Sequence, residues 1–317
     1  MVKAGLIAPR FTMRAGSRIL IPVDFSTLPT EHPYTLMLSQ ADTERLLLER
    51  LRELGGDVLR PKTLSRIIQD ADRVTATFAD GETISASYLV GADGMHSTVR
   101  EQAGIGFAGG EFAESFTLAD VRVVGEAPSN EVILFYASEG LTVLAPLPGD
   151  IIRVVAPVAD APEQPSLAFV QSLLDTRAFG PGRTVVTELV WGSRFRIHHR
   201  VADSYRAGRL LLAGDAAHVH SPAGGQGMNL GINDAISLAE ALSEVLHGAP
   251  DVVLDSYSTA QRRRAEQVLK LTGWLTTIST LPRPLRPLRN FGMRLAAKIP
   301  AVRSQLAVRL SGIGAKT

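Results

Sequence analysis

Residues 208–242, GRLLLAGDAAHVHSPAGGQGMNLGINDAISLAEAL, constrain the fold more than any other part of the chain. Residues 209–213 are a short, nearly all-apolar run, which suits a strand buried on both faces. Gly214 and Asp215 end it with a carboxylate at the C-terminal edge, where open α/β sheets bind ligands. After a loop of small residues, the glycines Gly224, Gly225 and Gly227 lead into an amphipathic helix expected from about 228 to 246. Glycine lets a flat ligand approach the backbone, and the N–H groups and dipole of a helix start favour negative charge. A strand-end acid for sugar-like hydroxyls therefore stands beside a donor-rich helix start for an anionic ring.

A second segment has the same layout. Residues 87–91 read as a buried strand that delivers Asp93 and Gly94, and Ser97 is placed to cap a short helix ending near Gly104. Together, residues 88–100 (YLVGADGMHSTVR) and 208–242 resemble the two later cofactor motifs of the class A flavoprotein monooxygenases, the para-hydroxybenzoate hydroxylase-like aromatic hydroxylases. They stand in that family's order, separated by a sheet-rich stretch of roughly the family's length, and the resemblance runs from about residue 11 to 311.

The resemblance implies a mixed α/β (α+β) fold, with an FAD-binding domain, a β-rich substrate domain and C-terminal helices. It implies FAD as cofactor, NAD(P)H as reductant, and O₂ as the oxygen source through a C4a-hydroperoxyflavin. A small aromatic or polycyclic substrate is then hydroxylated. On that reading Asp215, preceded by Gly214, accepts the flavin's ribityl or ribose hydroxyls; its alternative is a cap on its own turn. Gly225, Gln226, Gly227, Met228 and Asn229 offer backbone N–H groups to the flavin's pyrimidine edge, where reduction leaves negative charge. Asp93, Gly94 and Arg100 belong to a motif that serves both FAD and nicotinamide, although Arg100 equally suits a local pairing with Glu101 or Glu111. Gln40 falls where the family places a polar residue near the pyrophosphate or ribityl chain. Pro222 matches the family's proline beside the reactive flavin edge and is the candidate in the catalytic centre, shaping backbone rather than moving protons.

The family opens with a βαβ unit carrying G-x-G-x-x-G after its first strand. The one literal match, Gly104-Ile-Gly106-Phe-Ala-Gly109, follows a helix-like stretch and leads into residues without helical period, so it is not read as a phosphate loop. The expectation is a chain N-terminally incomplete by that unit. Its organisation is then an FAD-binding part over 1–104 (with a substrate-domain hairpin near 11–25), a β-rich substrate domain over 105–203, a return to FAD binding over 204–248, and a helical region over 249–317.

Other features narrow the function. The net charge of +1 points to neither nucleic acid nor strongly acidic partners. The absence of cysteine excludes disulfides, thiolate metal sites and a cysteine nucleophile, and fits a cytoplasmic location. No run approaches 18 apolar residues, as a transmembrane helix would require. His198, His199, His218 and His220 lack the helical carboxylate–histidine spacing of a metal site, so no metal is expected. G-x-S-x-G and G-x-x-x-x-G-K-[ST] are absent, which removes the hydrolase elbow and the P-loop.

The remaining expectations concern elements. Residues 11–25 suit a hairpin around Ala15-Gly16. A helix is expected over 42–54, capped by Asp42, with Leu47, Leu48, Leu51 and Leu54 as its buried stripe. Asp80-Gly81 signals a two-residue type I′ turn. Residues 115–197 are strand-rich, broken by a helix over 166–174; Phe135, Tyr136, Phe195 and Arg196 are the candidate substrate contacts there, against a plain core role for the aromatics. Residues 282–317 carry eight Lys/Arg and no acids. Phe291, Leu295, Ile299, Val302, Leu306 and Leu310 form an amphipathic stripe, expected to dock on the core rather than lie on a membrane. Two other functions remain open: a related flavin dehydrogenase or reductase, and a non-catalytic remnant.

Overall fold

The computed structural model describes residues 1–221, 225–279 and 281–312, without the side chains of 112–114, 197, 276, 279 and 283. Its helices are α1 (Gln40–Glu53), α2 (Thr98–Gln102), α3 (Leu167–Arg177), α4 (Gly227–Leu246), α5 (Val252–Ser279), α6 (Arg286–Ala296) and α7 (Pro300–Ser311). The chain divides into two compact units, each assembled from separate stretches. The first holds Met1–Asp57, Ala113–Arg196 and Thr277–Thr317; the second holds Val58–Phe112 and Ile197–Thr276.

The first unit is built on one large sheet. Within this unit the strands of that sheet run in the order 184–196, 113–125, Ile151–Val158, Gly140–Leu147, Glu131–Ala137, Arg10–Ala15 and Arg18–Asp24. The hairpin expected around Ala15-Gly16 forms, with Gly16 at φ +57°, and joins Glu131–Ala137 in parallel, Arg10 opposite Glu131. Strand period 2 explains why residues 132–136 are apolar throughout: both faces are covered. Val132, Leu134 and Tyr136 enter a core that also receives Leu306 and Leu310, whereas Ile133 and Phe135 enter a second core under α3 with Val170 and Leu174. Opposite partners Asp120 and Arg153 lock adjacent strands through a bidentate pair, both contacts 2.8 Å.

The second unit contains a parallel pair, Leu89–Gly91 beside Leu210–Leu212, extended by Arg206–Ala207. Leu210, Leu211 and Leu212 are all fully buried, as the apolar run requires of a strand covered on both faces. A three-stranded meander, Leu64–Gln69, Val74–Phe78 and Thr83–Ala86, is tied to this sheet by Gln69, which accepts from Arg209 N–H at 2.8 Å and donates to Ala207 C=O. Gly104, at φ +66°, follows α2, and a strand starts at Phe107, so the Gly104–Gly109 match lies in no strand–loop–helix context.

Four local expectations are corrected. Ser39, not Asp42, caps α1: its Oγ accepts from Asp42 N–H at 3.0 Å and donates to the Asp42 carboxylate, so the helix starts two residues earlier. The leucine face of α1 is not buried, since Leu47, Leu51 and Leu54 are exposed; periodicity marks a face that needs cover without supplying the cover. At Asp80-Gly81 only Gly81 has positive φ (+84°), and Phe78 pairs with Glu82 through a backbone bond. The turn is therefore the three-residue, single-αL kind rather than type I′, which needs positive φ at both residues. Finally, the C-terminal stripe splits at Pro300, which begins α7. Leu306 and Leu310 dock, but Phe291, Leu295 and Ile299 are exposed, while Met293 and Ala297 face the core instead.

Candidate functional site

The turn after Leu210–Leu212 is a single 3₁₀ turn, Gly214–Ala216, with Gly214 at φ +62°. It lies directly on α4: a Cβ on Gly231 would stand 3.3 Å from the Gly214 Cα, so glycine at 231 permits backbone-to-backbone contact. One helical turn further along α4, the fully buried Asp234 accepts from Gly214 N–H at 3.0 Å, and the same oxygen meets His218 Nε2 at 2.6 Å. Asp234 thus holds both ends of the residue 214–218 turn. His218 is itself enclosed and stacks on Tyr205.

Asp215 is the part of this turn that faces solvent. Crowding by the surrounding protein nevertheless raises its pKa above the ordinary aspartate value, with His218 pulling the other way. Burial pushes the His220 pKa down to about 4, helped by His218, so its ring is neutral near pH 7. Burial likewise keeps Tyr205 and Tyr257 as phenols. The Tyr257 hydroxyl donates to Leu212 C=O at 2.7 Å, fixing the strand that carries the turn.

The second motif sits beside the first through Arg100. This buried guanidinium donates to Ala216 C=O and Met95 C=O, both at 2.8 Å, and lies 3.8 Å over the Phe107 ring. It therefore joins the loop after Asp93 to the turn of Asp215. The alternative of a local ion pair with Glu101 or Glu111 is not what its guanidinium makes; desolvation lowers its pKa, partly offset by the charges of Glu101 and Asp93. Asp93 is also more local than expected. Its carboxylate accepts from Ser97 Oγ and from Val99 N–H, capping α2, while Ser97 Oγ accepts from Arg100 N–H. Asp93 thus shapes the loop that presents Gly94, at φ +82°.

At the other end, α4 starts at Gly227 with Gln226 as N-cap and no side-chain cap bond. A helix start carries amides without an intrahelical acceptor. Gly225 has φ +64° and open space where a Cβ would point; Gly227 is similarly open, and Met228 and Asn229 are exposed. Asn229 Nδ2 donates back to Gly225 C=O at 3.3 Å. Pro222 lies outside the described residues. Gln40 belongs to the first unit, where it opens α1 and donates to Glu44.

The substrate candidates divide. Phe135 is closed into the core edge-on to Phe179, and Tyr136 into the opposite core, where Arg289 lies 4.9 Å over its ring. Both are core residues, so the substrate expectation for them is withdrawn. Phe195 is half-buried against Phe116, and Arg196 is exposed. Among the described residues no cluster of three or more His, Cys, Asp or Glu suits a metal ion.

Sequence reasoning missed Asp234, His218 and Gly231. A signal for Asp234 was present: Leu230, Asp234, Leu238 and Ala241 recur at steps of three and four, putting one carboxylate on the buried stripe of α4. A charge there demands a partner, and Gly214 with His218 supply it.

A family model described as "FAD binding domain" matches residues 8–272. A Bacillus subtilis (strain 168) protein described as an uncharacterized aromatic compound monooxygenase is 36% identical over 299 residues, covering 92% of this chain and 60% of its own. The 12-dehydrotetracycline 5-monooxygenase/anhydrotetracycline 6-monooxygenase of Streptomyces rimosus is 37% identical over 286 residues, covering 84% of this chain and 56% of its own. The chain thus spans three-fifths or less of the length of these two relatives. Among solved structures, p-nitrophenol 4-monooxygenase from Pseudomonas putida DLL-E4 superimposes with TM-score 0.83 at 27% identity, over 99% of this chain and 83% of that one.

Proposed function

The chain belongs to the FAD-binding-domain family, and from that premise we propose that it serves an FAD-dependent monooxygenase that hydroxylates an aromatic or polycyclic small molecule at the expense of NAD(P)H and O₂. The net change is insertion of one oxygen atom into a ring C–H bond; the other leaves as water, and NAD(P)H is oxidised to NAD(P)⁺. The observation that carries this reading is the arrangement of the second unit. A solvent-facing acid, Asp215, lies on a turn fixed to the same helix that starts at Gly227, with no side-chain cap bond and with Gly225 just before it.

The donor set fits a flavin. Asp215 would accept from its ribityl or ribose hydroxyls, and the first-turn amides of α4 would donate to its pyrimidine edge, where the positive end of the helix dipole favours negative charge. Gly225 and Gly227 leave the backbone bare for close approach. When bound, FAD supplies the electron transfer and the oxygen activation. Asp234 and Arg100 act at one remove, holding the Asp215 turn against α4 and against the Gly94 loop. The sheet of the first unit is the part we assign to the substrate, with Phe195 and Arg196 as its remaining candidates and Pro222 and Gln40 as further cofactor-side candidates. The two relatives named for tetracycline intermediates and p-nitrophenol support an aromatic substrate class.

The test is a flavin titration. Replacing Asp215 by Ala removes a charged acceptor, and such bonds are worth roughly 1.5–3 kcal/mol, or about ten- to hundredfold in affinity. That loss, read as quenching of FAD fluorescence with the unfolding midpoint unchanged, is the expected result. An unaltered affinity would remove Asp215 from the site.

A further inference from the structure

We propose that α6 is a docking face for an anionic lipid surface. The helix is fixed rather than slack. Its inner side carries the buried Arg289, which donates to Tyr136 C=O at 3.1 Å, and Met293, which packs on the core. Arg286 Nε donates to Leu281 C=O at 2.8 Å and so holds the start of the helix. With that side committed, the bulky apolar residues point away from the protein: Leu288 is 68% exposed, Phe291 64%, Leu295 56% and Ile299 52%. At 100° per residue Leu288, Phe291 and Leu295 fall on one stripe of α6, the amphipathic pattern with its apolar side outward, and Ile299 follows in the extended link before α7.

Charge selects the occupant. Arg294 and Lys298 are exposed beside the stripe and Arg303 follows at the start of α7; none of the three forms an ion pair with a described residue. Residues 282–317 contain eight Lys/Arg and no acid, so nothing in this stretch repels a negatively charged surface. A second copy docking through the same face would set Arg294, Lys298 and Arg303 against their own copies, which disfavours a symmetric pair. A bilayer with anionic headgroups accepts both parts at once: apolar side chains enter the headgroup–acyl boundary while the flanking cations stay at headgroup level. Among the described residues no helix is long and apolar enough to cross a membrane, so the attachment is peripheral and reversible.

The chain lacks cysteine, so Phe291→Cys gives a single site for a polarity-sensitive fluorophore. Ser172→Cys, on the exposed side of α3, is the control. The full chain is mixed with vesicles of phosphatidylcholine alone or with one-third phosphatidylserine, with and without FAD. Expected is a blue shift at position 291, absent at 172, on anionic vesicles only, reversed by high salt and weakened about tenfold or more in Arg294→Glu/Lys298→Glu. Flavin binding plays no part in this readout, so it stands or falls apart from the proposed activity. No shift, an equal shift on neutral vesicles, or a shift that follows protein concentration without lipid would each overturn the proposal; the last would identify a protein–protein face instead.

Discussion

Asp234 bears the most weight of any single residue in the second unit. One of its oxygens serves both Gly214 N–H and His218, while the residue has no access to water. Removing a carboxylate from such a place strands both partners in a low-dielectric interior. Asp234→Ala is therefore expected to lower unfolding free energy by roughly 2–4 kcal/mol. His218→Ala and the double variant should complete a cycle with a coupling of about 1–3 kcal/mol. Urea denaturation measures all three, and additive losses would show that the contact carries no energy. The position of Asp215, exposed on a turn at a strand end, was legible from the apolar run and the Gly-Asp that closes it. The roles of Arg100 and Asp93 were less so. Both side chains make bonds set by how loops fold back, and Arg100 reaches Ala216, 116 positions away.

Elements were legible where a local rule determines them and less so where another segment decides. The strand that ends at Gly214 and helix α4 follow from an apolar run and a helical stripe, and both form close to the expected bounds. Ser39 took the capping role from Asp42 because both are good N-cap types three residues apart: Ser39 Oγ accepts from Asp42 N–H and donates to the Asp42 carboxylate. The Asp80-Gly81 turn shows how one backbone angle separates two readings. With positive φ at Gly81 alone, Gly81→Ala should cost about 1 kcal/mol. Asp80→Gly should also destabilise, since it loosens the unfolded chain and removes the carboxylate that accepts from Glu82 N–H. Thermal unfolding of the two variants distinguishes the turns: stabilisation by Asp80→Gly would indicate a type I′ geometry after all.

At the scale of the whole molecule, neither unit is a continuous segment, and two long strands, Phe107–Gly125 and Thr184–Ala202, each run through a unit boundary. No glycine–proline break or linker marks those boundaries, because a strand crosses them without interruption. Alternation reports that a strand exists and says nothing of where it passes from one core to the next. The proposed activity belongs to the same scale: it would require flavin, nicotinamide, oxygen and an aromatic ring to act in one cycle. Under that proposal substrate would accelerate reduction, since an empty site would only release peroxide. The decisive measurement follows nicotinamide absorbance, oxygen uptake and hydroxylated product together in the FAD-loaded protein, across a panel of phenols and polycyclic aromatics. The account predicts substrate-stimulated NAD(P)H oxidation with one O₂ consumed for each hydroxylated product. Oxygen-independent turnover of an alcohol or alkene, or no reduction of the fully flavinated protein by either nicotinamide, would contradict it.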